Sequence, residues 1–212
     1  TLAEAVKLLF NPQPVTRNSQ LATRYAVLTF DDGFRDFYTQ AYPILQKYGF
    51  GATVFLPTGF IDDKGLKIKG KEHLSWNEVR ELCKNGIYFG SHTVTHPKLK
   101  FLKKEDIVYE IRQSRETIED KLGESIDSFS YPYAFPDEDK KFARFLKETL
   151  QECGYRYGVS TRIGTSTKDD DIFFLKRIPA NSCDDISFFK AKLYGGYDWL
   201  NKLQYVSKLI KK

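Results

Sequence analysis

Methionine is missing altogether from the 212 residues, and cysteine and histidine occur only three times each. A chain with no methionine is expected to have been processed or trimmed, so a lost leader or anchor is compatible with it and the compartment is not directly legible. The odd count of cysteines, Cys83, Cys153 and Cys183, excludes a full disulfide framework. Cys83 and Cys153 fall on apolar faces of expected helices and read as buried free thiols. No apolar run approaches the roughly 18 residues that a membrane span requires. There is no internal repeat, no low-complexity tract and no nucleic-acid-binding motif. The net charge of +5 is mild and spread along the chain, which reads as a solvated basic surface and gives no reason to expect a nucleic-acid partner. With 41% hydrophobic and 29% charged residues, the chain is expected to fold around a core and not to be disordered.

What is present is alternation. Short apolar runs read as strands at Tyr25–Phe30, Gly51–Leu56, Ile87–Ser91, Ser128–Tyr131, Tyr157–Ser160 and Phe173–Ile178. Helical patterns lie between them. One starts at a capping box, Ser75 with Glu78, and stops at Gly86. Another, Lys104–Leu122, puts Ile107, Ile111, Ile118 and Leu122 on one stripe and ends at Gly123. A third runs through Phe142, Phe145, Leu146 and Leu150 to Gly154. The last, Trp199–Ile210, is expected to turn Trp199, Leu203 and Val206 inward. A leading helix, Leu2–Phe10, precedes a Pro-containing lead-in. The boundaries expected are a lead-in at 1–23, a catalytic core at 24–200 and a C-terminal helix at 201–212, all in one domain. Strand–helix–strand order predicts a parallel sheet with helices outside, either a barrel or an open sheet.

Three polar clusters each follow an expected strand: Asp31-Asp32-Gly33, His92-Thr93-Val94-Thr95-His96 and Tyr131-Pro132-Tyr133. The carboxyl ends of parallel strands open on one face, so residues 60 and 100 positions apart would converge there. Asp-Asp-Gly is also an ordinary turn sequence. Adjacent carboxylates at a strand end point in different directions, however, so one can bind a cation while the other stays free to accept a proton. Two of the three histidines stand four residues apart. The Thr-Val-Thr between them and Pro97 after them favour a loop over a helix interior. One carboxylate and two imidazoles make the three-ligand set of a catalytic zinc site, with the remaining position left to water.

These residues resemble the polysaccharide deacetylase family (carbohydrate esterase family 4, the NodB homology domain) over roughly Arg24 to Leu200. The Thr-Phe-Asp-Asp-Gly motif stands at Thr29–Gly33. The Ser-His-Thr-x-x-His-Pro-x-Leu motif stands at Ser91–Leu99. The resemblance implies an irregular (β/α) barrel of parallel strands with outer helices. It also implies a divalent metal, zinc or another such as cobalt, on Asp32, His92 and His96, with Asp31 as catalytic base. The substrate implied is an acetylated glycan. Family habit implies an exported or envelope-facing protein, while the unpaired cysteines leave a reducing compartment open.

Two departures matter. The common Arg-x-Pro-Tyr-Gly motif is here Ser130-Tyr131-Pro132-Tyr133-Ala134, which keeps the Tyr133 backbone N–H as an oxyanion donor but loses the arginine that steadies the base. The Leu-x-His stretch that carries a general acid is here Leu175-Lys176-Arg177-Ile178-Pro179, without histidine. Arg177 can pair with Asp31 in place of the lost arginine, or be an ordinary surface arginine. It cannot deliver a proton at neutral pH. His73 reads as a surface residue. Tyr131, Pro132 and Tyr133 are expected to meet substrate, the two tyrosines by stacking on sugar faces. The reaction expected is hydrolysis of N-acetyl groups from an N-acetylhexosamine polymer. The alternatives are an O-acetyl esterase on a polysaccharide, or a catalytically weak carbohydrate-binding protein that retains the metal.

Overall fold

The computed structural model describes residues 1–11, 25–63, 65–136 and 138–210, with backbone only at 209 and 210. The lead-in at 12–23 lies outside the described residues. Six parallel strands form one curled sheet in sequence order: β1 (Thr29–Phe30), β2 (Thr53–Leu56), β3 (Tyr88–Ser91), β4 (Ser128–Ser130), β5 (Tyr157–Ile163) and β6 (Leu175–Arg177). The strand–helix alternation of the sequence is thus realised as a half-barrel, with β1 and β6 as its two edges. Every pairing between these strands is parallel, for example Val54 opposite Phe89 and Ser130 opposite Val159.

The helices are α1 (Leu2–Phe10), α2 (Tyr42–Lys47, entered through a π-helical turn at Phe37–Ala41), α3 (Trp76–Lys84), α4 (Lys104–Leu122), α5 (Lys140–Glu152), α6 (Ile186–Leu193) and α7 (Leu200–Ile210). α3 has the capping box expected at Ser75 and Glu78. α4 keeps its expected bounds because Gly123, at φ 73°, adopts the left-handed conformation that closes a helix.

β2 is buried throughout, as a parallel strand covered on both faces must be. Val54 and Leu56 join Ile107, Ile111 and Ile118 of α4 in the main core. Phe55, pointing the other way along the strand, joins Tyr157, Val159 and Leu175 in a second cluster with Leu2 and Val6 of α1. The outer helices therefore cover one face of the sheet and α1 covers the other. Each fully buried isoleucine of α4 contributes roughly 1.5–3 kcal/mol.

Several expectations are corrected. Trp199, Leu203 and Val206 are exposed at 60%, 54% and 48%, so the inward face of α7 is not the apolar one. Gln204 instead accepts from the Ile163 N–H and donates to the Thr161 carbonyl, and the Lys208 ammonium donates to the Phe135 carbonyl. Backbone groups at the end of β5 need polar partners, and that need outweighs the burial of three apolar side chains. β1 is shorter than Tyr25–Phe30, and α2 and α6 were not anticipated. All three cysteines are free, but only Cys153 is buried. The Cys83 thiol is half-buried and donates to Glu124; burial together with that carboxylate pushes it up to about 12. No helix among the described residues is long and apolar enough to cross a membrane.

Candidate active site and metal centre

The carboxyl ends of β1, β3, β4 and β6 deliver Asp31 and Asp32, His92 and His96, Ser130 and Tyr133, and Arg177 to one place. Asp32 Oδ1 lies 3.4 Å from His92 Nε2 and 3.2 Å from His96 Nε2. The three ligand atoms lie within 4.8 Å of one another. Burial pushes the Asp32 carboxyl up, but hydrogen bonds and charge from His92 and His96 hold it well below the usual carboxylate range.

The tautomer of His92 shows what this cluster is suited to hold. Its Nδ1 lies 2.7 Å from the Ser130 carbonyl oxygen, which can only accept, so Nδ1 carries the proton. In a neutral ring, Nε2 then turns a lone pair toward the Asp32 carboxylate. Two acceptors facing each other are satisfied by a cation shared between them, either a proton or a metal ion. A carbonyl that fixes the far nitrogen of a histidine is also the usual support of a metal-binding imidazole. The donor set of one carboxylate and two imidazoles fits a divalent ion.

The loop that carries the ligands is built around strain and one buried carboxylate. Among the described residues, four of the six non-glycine positions with positive φ belong to this site: Asp32 (71°), Thr93 (70°), His96 (54°) and Tyr133 (58°). Such conformations cost on the order of 1–3 kcal/mol each and persist only where surrounding structure enforces them. Glu110 of α4, 6% exposed, supplies much of that enforcement. It accepts from the Val94 N–H (2.8 Å), the Thr95 N–H (2.9 Å) and the Thr95 hydroxyl (2.6 Å). The Thr93 hydroxyl accepts from the His96 N–H at 3.0 Å. Glu110 is not apparent from the ligand motif. Its one signal is an acid standing on the same stripe of α4 as Ile107, Ile111 and Ile118.

Asp31 is held from the opposite side. Arg177 Nη1 donates to Oδ1 at 2.8 Å and Nη2 to Oδ2 at 2.7 Å, while the Ser130 hydroxyl donates to Oδ1 at 3.1 Å. Burial raises this carboxyl, but Arg177 and His92 oppose it with positive charge, and hydrogen bonds from Arg177 and Ser130 bring it below its ordinary value. Arg177 also donates through Nε to the Ser160 carbonyl (3.0 Å) and through Nη1 to the Thr29 hydroxyl (3.3 Å). Ser130 stands where the common motif has arginine; its short side chain leaves room for a guanidinium arriving from β6.

Two expectations about neighbouring residues fail. Tyr131 is 2% exposed and packed edge-on against Phe129 and Phe135, so its ring is part of the core and is not available to stack on a sugar. Pro132 is buried as well. Only Tyr133 of that trio is exposed, with its ring 4.8 Å from that of His96. His73 is not a surface residue: it is 8% exposed between Phe34 and Phe60, with neither ring nitrogen hydrogen-bonded. Burial lowers its pKa, Asp32 opposing and His96 adding to the shift.

A curled parallel half-barrel with an Asp–His–His cluster at its strand ends defines the class of protein. The sequence profile of the polysaccharide deacetylase family matches residues 18–158, and the chain belongs to that family. It is 30% identical over 167 residues to YxkH of Bacillus subtilis, whose own assignment as a polysaccharide deacetylase is provisional; the match covers 77% of this chain and 54% of that one. It is 25% identical over 171 residues to a poly-β-1,6-N-acetyl-D-glucosamine N-deacetylase of Staphylococcus aureus, covering 76% of this chain and 56% of that one. The chain thus spans about half the length of these curated relatives. Among solved structures, the deacetylase PplD of Streptococcus pyogenes, in complex with acetate, superposes with a TM-score of 0.76 at 24% identity, over 91% of this chain and 78% of that one, a likeness of fold.

Proposed function

We propose that this chain hydrolyses N-acetyl groups from an N-acetylhexosamine-containing polysaccharide and releases acetate, with zinc as the ion on Asp32, His92 and His96. The observation that carries the reading is a second carboxylate, Asp31, clamped by Arg177 immediately beside the ligand cluster. A pure binding site has no use for a positioned proton acceptor next to a metal, which argues against the metal-retaining binding protein. The Staphylococcus aureus relative is named for the same chemistry on a glucosamine polymer, which supports the substrate class. Action on such a polymer goes with an exported or envelope-facing location.

A divalent ion bound there supplies Lewis acidity, lowering the pKa of a water and polarising a carbonyl. The chain's own residues do the rest. Asp31 accepts the proton of the attacking water; Arg177 occupies one lone pair of each carboxylate oxygen and Ser130 the second on Oδ1, which leaves Oδ2 one for that proton. The Tyr133 backbone N–H donates to the oxygen that becomes negative as the acetyl carbon turns tetrahedral. The exposed Tyr133 ring offers an apolar face to the sugar. Arg177 cannot protonate the departing amine, so Asp31 returns the proton that it took.

That missing acid favours a second reading, an O-acetyl esterase, because an alkoxide leaves with less help than an amine. Metal analysis together with acetate release from a chitooligomer, a poly-β-1,6-N-acetylglucosamine oligomer and an acetylated xylan tests both. Acetate from the glucosamine oligomers, dependent on bound zinc, is expected. Release from the xylan alone transfers the assignment to the esterase, and no release from any of the three overturns it.

A further inference from the structure

Beyond the strand ends, a cleft of about 860 Å³ runs between α5 and α7. Lys140, Arg144 and Lys147 line one wall, at the i, i+4 and i+7 spacing that puts them on one stripe of α5. Lys202 and Tyr205 of α7 form the other, and Phe135 and Phe174 lie at the floor. Two carboxylates also line the cleft, Glu148 and Asp171. Asp171 is engaged by Lys147 at 2.6 Å. Lys140, Arg144 and Lys202 are exposed and make no ion pair among the described residues. The wall is fixed and not a loose helix end, because Gln204 and Lys208 bind α7 to the backbone at Thr161, Ile163 and Phe135.

We infer that the α5–α7 cleft is a second glycan-binding site, for a polysaccharide segment that carries carboxylate or phosphate groups. Its size is that of a site for a few sugar rings. Three uncommitted cations on facing walls focus positive potential into the cleft, so the ligand carries negative charge. An exposed tyrosine beside an apolar floor accepts the faces of sugar rings. Phe135 is two residues from Tyr133, and two residues span at most about 7 Å, so the cleft reaches the rim of the site at the strand ends. A long polymer can occupy both. The inference does not rest on the deacetylase reading, since occupancy of the cleft needs no turnover.

The test is calorimetric binding to the metal-loaded protein of tetragalacturonate (carboxylate), a phosphorylated mannan oligomer (phosphate), an uncharged chitooligomer and a polyglutamate peptide. Either anionic glycan is expected to bind more tightly than the peptide, to weaken as salt is raised, and to lose at least tenfold in affinity in a K140A/R144A/K202A variant. Which glycan binds tells the source of the charge. Acetate release from a short acetylated substrate is expected to be unchanged in that variant, which separates failure of the cleft from failure of the catalytic site. Unchanged affinity in the variant, absence of binding by both anionic glycans, or equal binding of the polyglutamate peptide overturns the inference. Tyr205→Ala is the second check: it leaves the cations in place, and an unaltered affinity for sugar with that substitution refutes the stacking role.

Discussion

Arg177 and Asp31 are joined by two parallel hydrogen bonds, 2.8 and 2.7 Å long, between the last strand of the sheet and the residue that follows the first. β1 and β6 are the edges of the sheet and share no ladder, so this clamp and the Arg177–Thr29 bond tie the two edges of the half-barrel together at the site. The guanidinium both orients the Asp31 carboxylate and helps to close the fold around it. Arg177→Lys keeps the charge but loses the forked geometry. A fall of about 10–100-fold in kcat with little change in metal content is expected, as for other residues that support a catalytic group. Full activity in the lysine variant would mean that the charge alone suffices.

Asp31→Asn tests the base itself. The amide keeps the shape of the carboxylate but cannot take a proton from water, and a loss of about 10²–10⁴ in kcat is expected. Because Asp31 is not among the three clustered ligands, bound metal measured by atomic emission stays near one per chain. Loss of metal in this variant would show that Asp31 is a ligand and would require another base.

Removing a ligand acts differently. His92→Ala and His96→Ala each take one of three donors from the cluster, and both are expected to purify with little metal. Chelation of the parent protein is expected to lower its melting temperature, since an ion held at 100 times its dissociation constant stabilises the fold by about 2.7 kcal/mol. Full occupancy in both alanine variants contradicts the ligand set.

The ligand cluster was legible because each of its motifs is contiguous and ends a recognisable strand. What lies across the chain was less so. Arg177 was open to two readings, a partner for Asp31 or an ordinary surface arginine, and its place on the last strand alone does not choose between them. Glu110, Ser130 and the buried state of His73 depend on how α4, β4 and the 58–75 loop pack, which no local pattern encodes. Tyr131 and Tyr133 illustrate the limit well. Both adjoin the site in sequence, so both were expected to meet substrate, and residues two apart in an extended segment would share a face. The left-handed backbone at Tyr133 breaks that alternation, sending one ring outward and leaving the other among Phe129, Phe135 and Phe174. On α7 the amphipathic pattern pointed the wrong way, because Gln204 and Lys208 answer backbone groups that the sequence does not reveal to be unpaired.

Glu110 provides a prediction that no ligand motif suggests. Alanine there strands two loop N–H groups and the Thr95 hydroxyl inside the structure. A loss of roughly 2–3 kcal/mol in unfolding free energy is expected, since single hydrogen bonds to a charged group are worth about 1.5–3 kcal/mol and are not additive. The strained His96 loop relaxes as well, so metal affinity falls by about tenfold or more. Glu110→Gln, which keeps one acceptor, lies between. A variant that melts earlier but titrates zinc with unchanged affinity would confine Glu110 to holding the fold.

His73 gives stability a pH dependence of definite sign. Burial lowers its pKa from 6.5 in the folded chain, so folding favours the neutral ring. The contribution of this group is present in full above pH 6.5 and is lost as pH falls below it toward the folded value, because the unfolded chain takes up the proton first. A bound cation nearby would oppose the charged ring further, so the comparison is made on metal-free protein. Between pH 7 and pH 5 the parent is expected to lose more of its melting temperature than His73→Leu, whose side chain suits the Phe34–Phe60 sandwich and cannot titrate. Parallel curves for the two proteins over that interval would mean that His73 accepts its proton without cost in the fold.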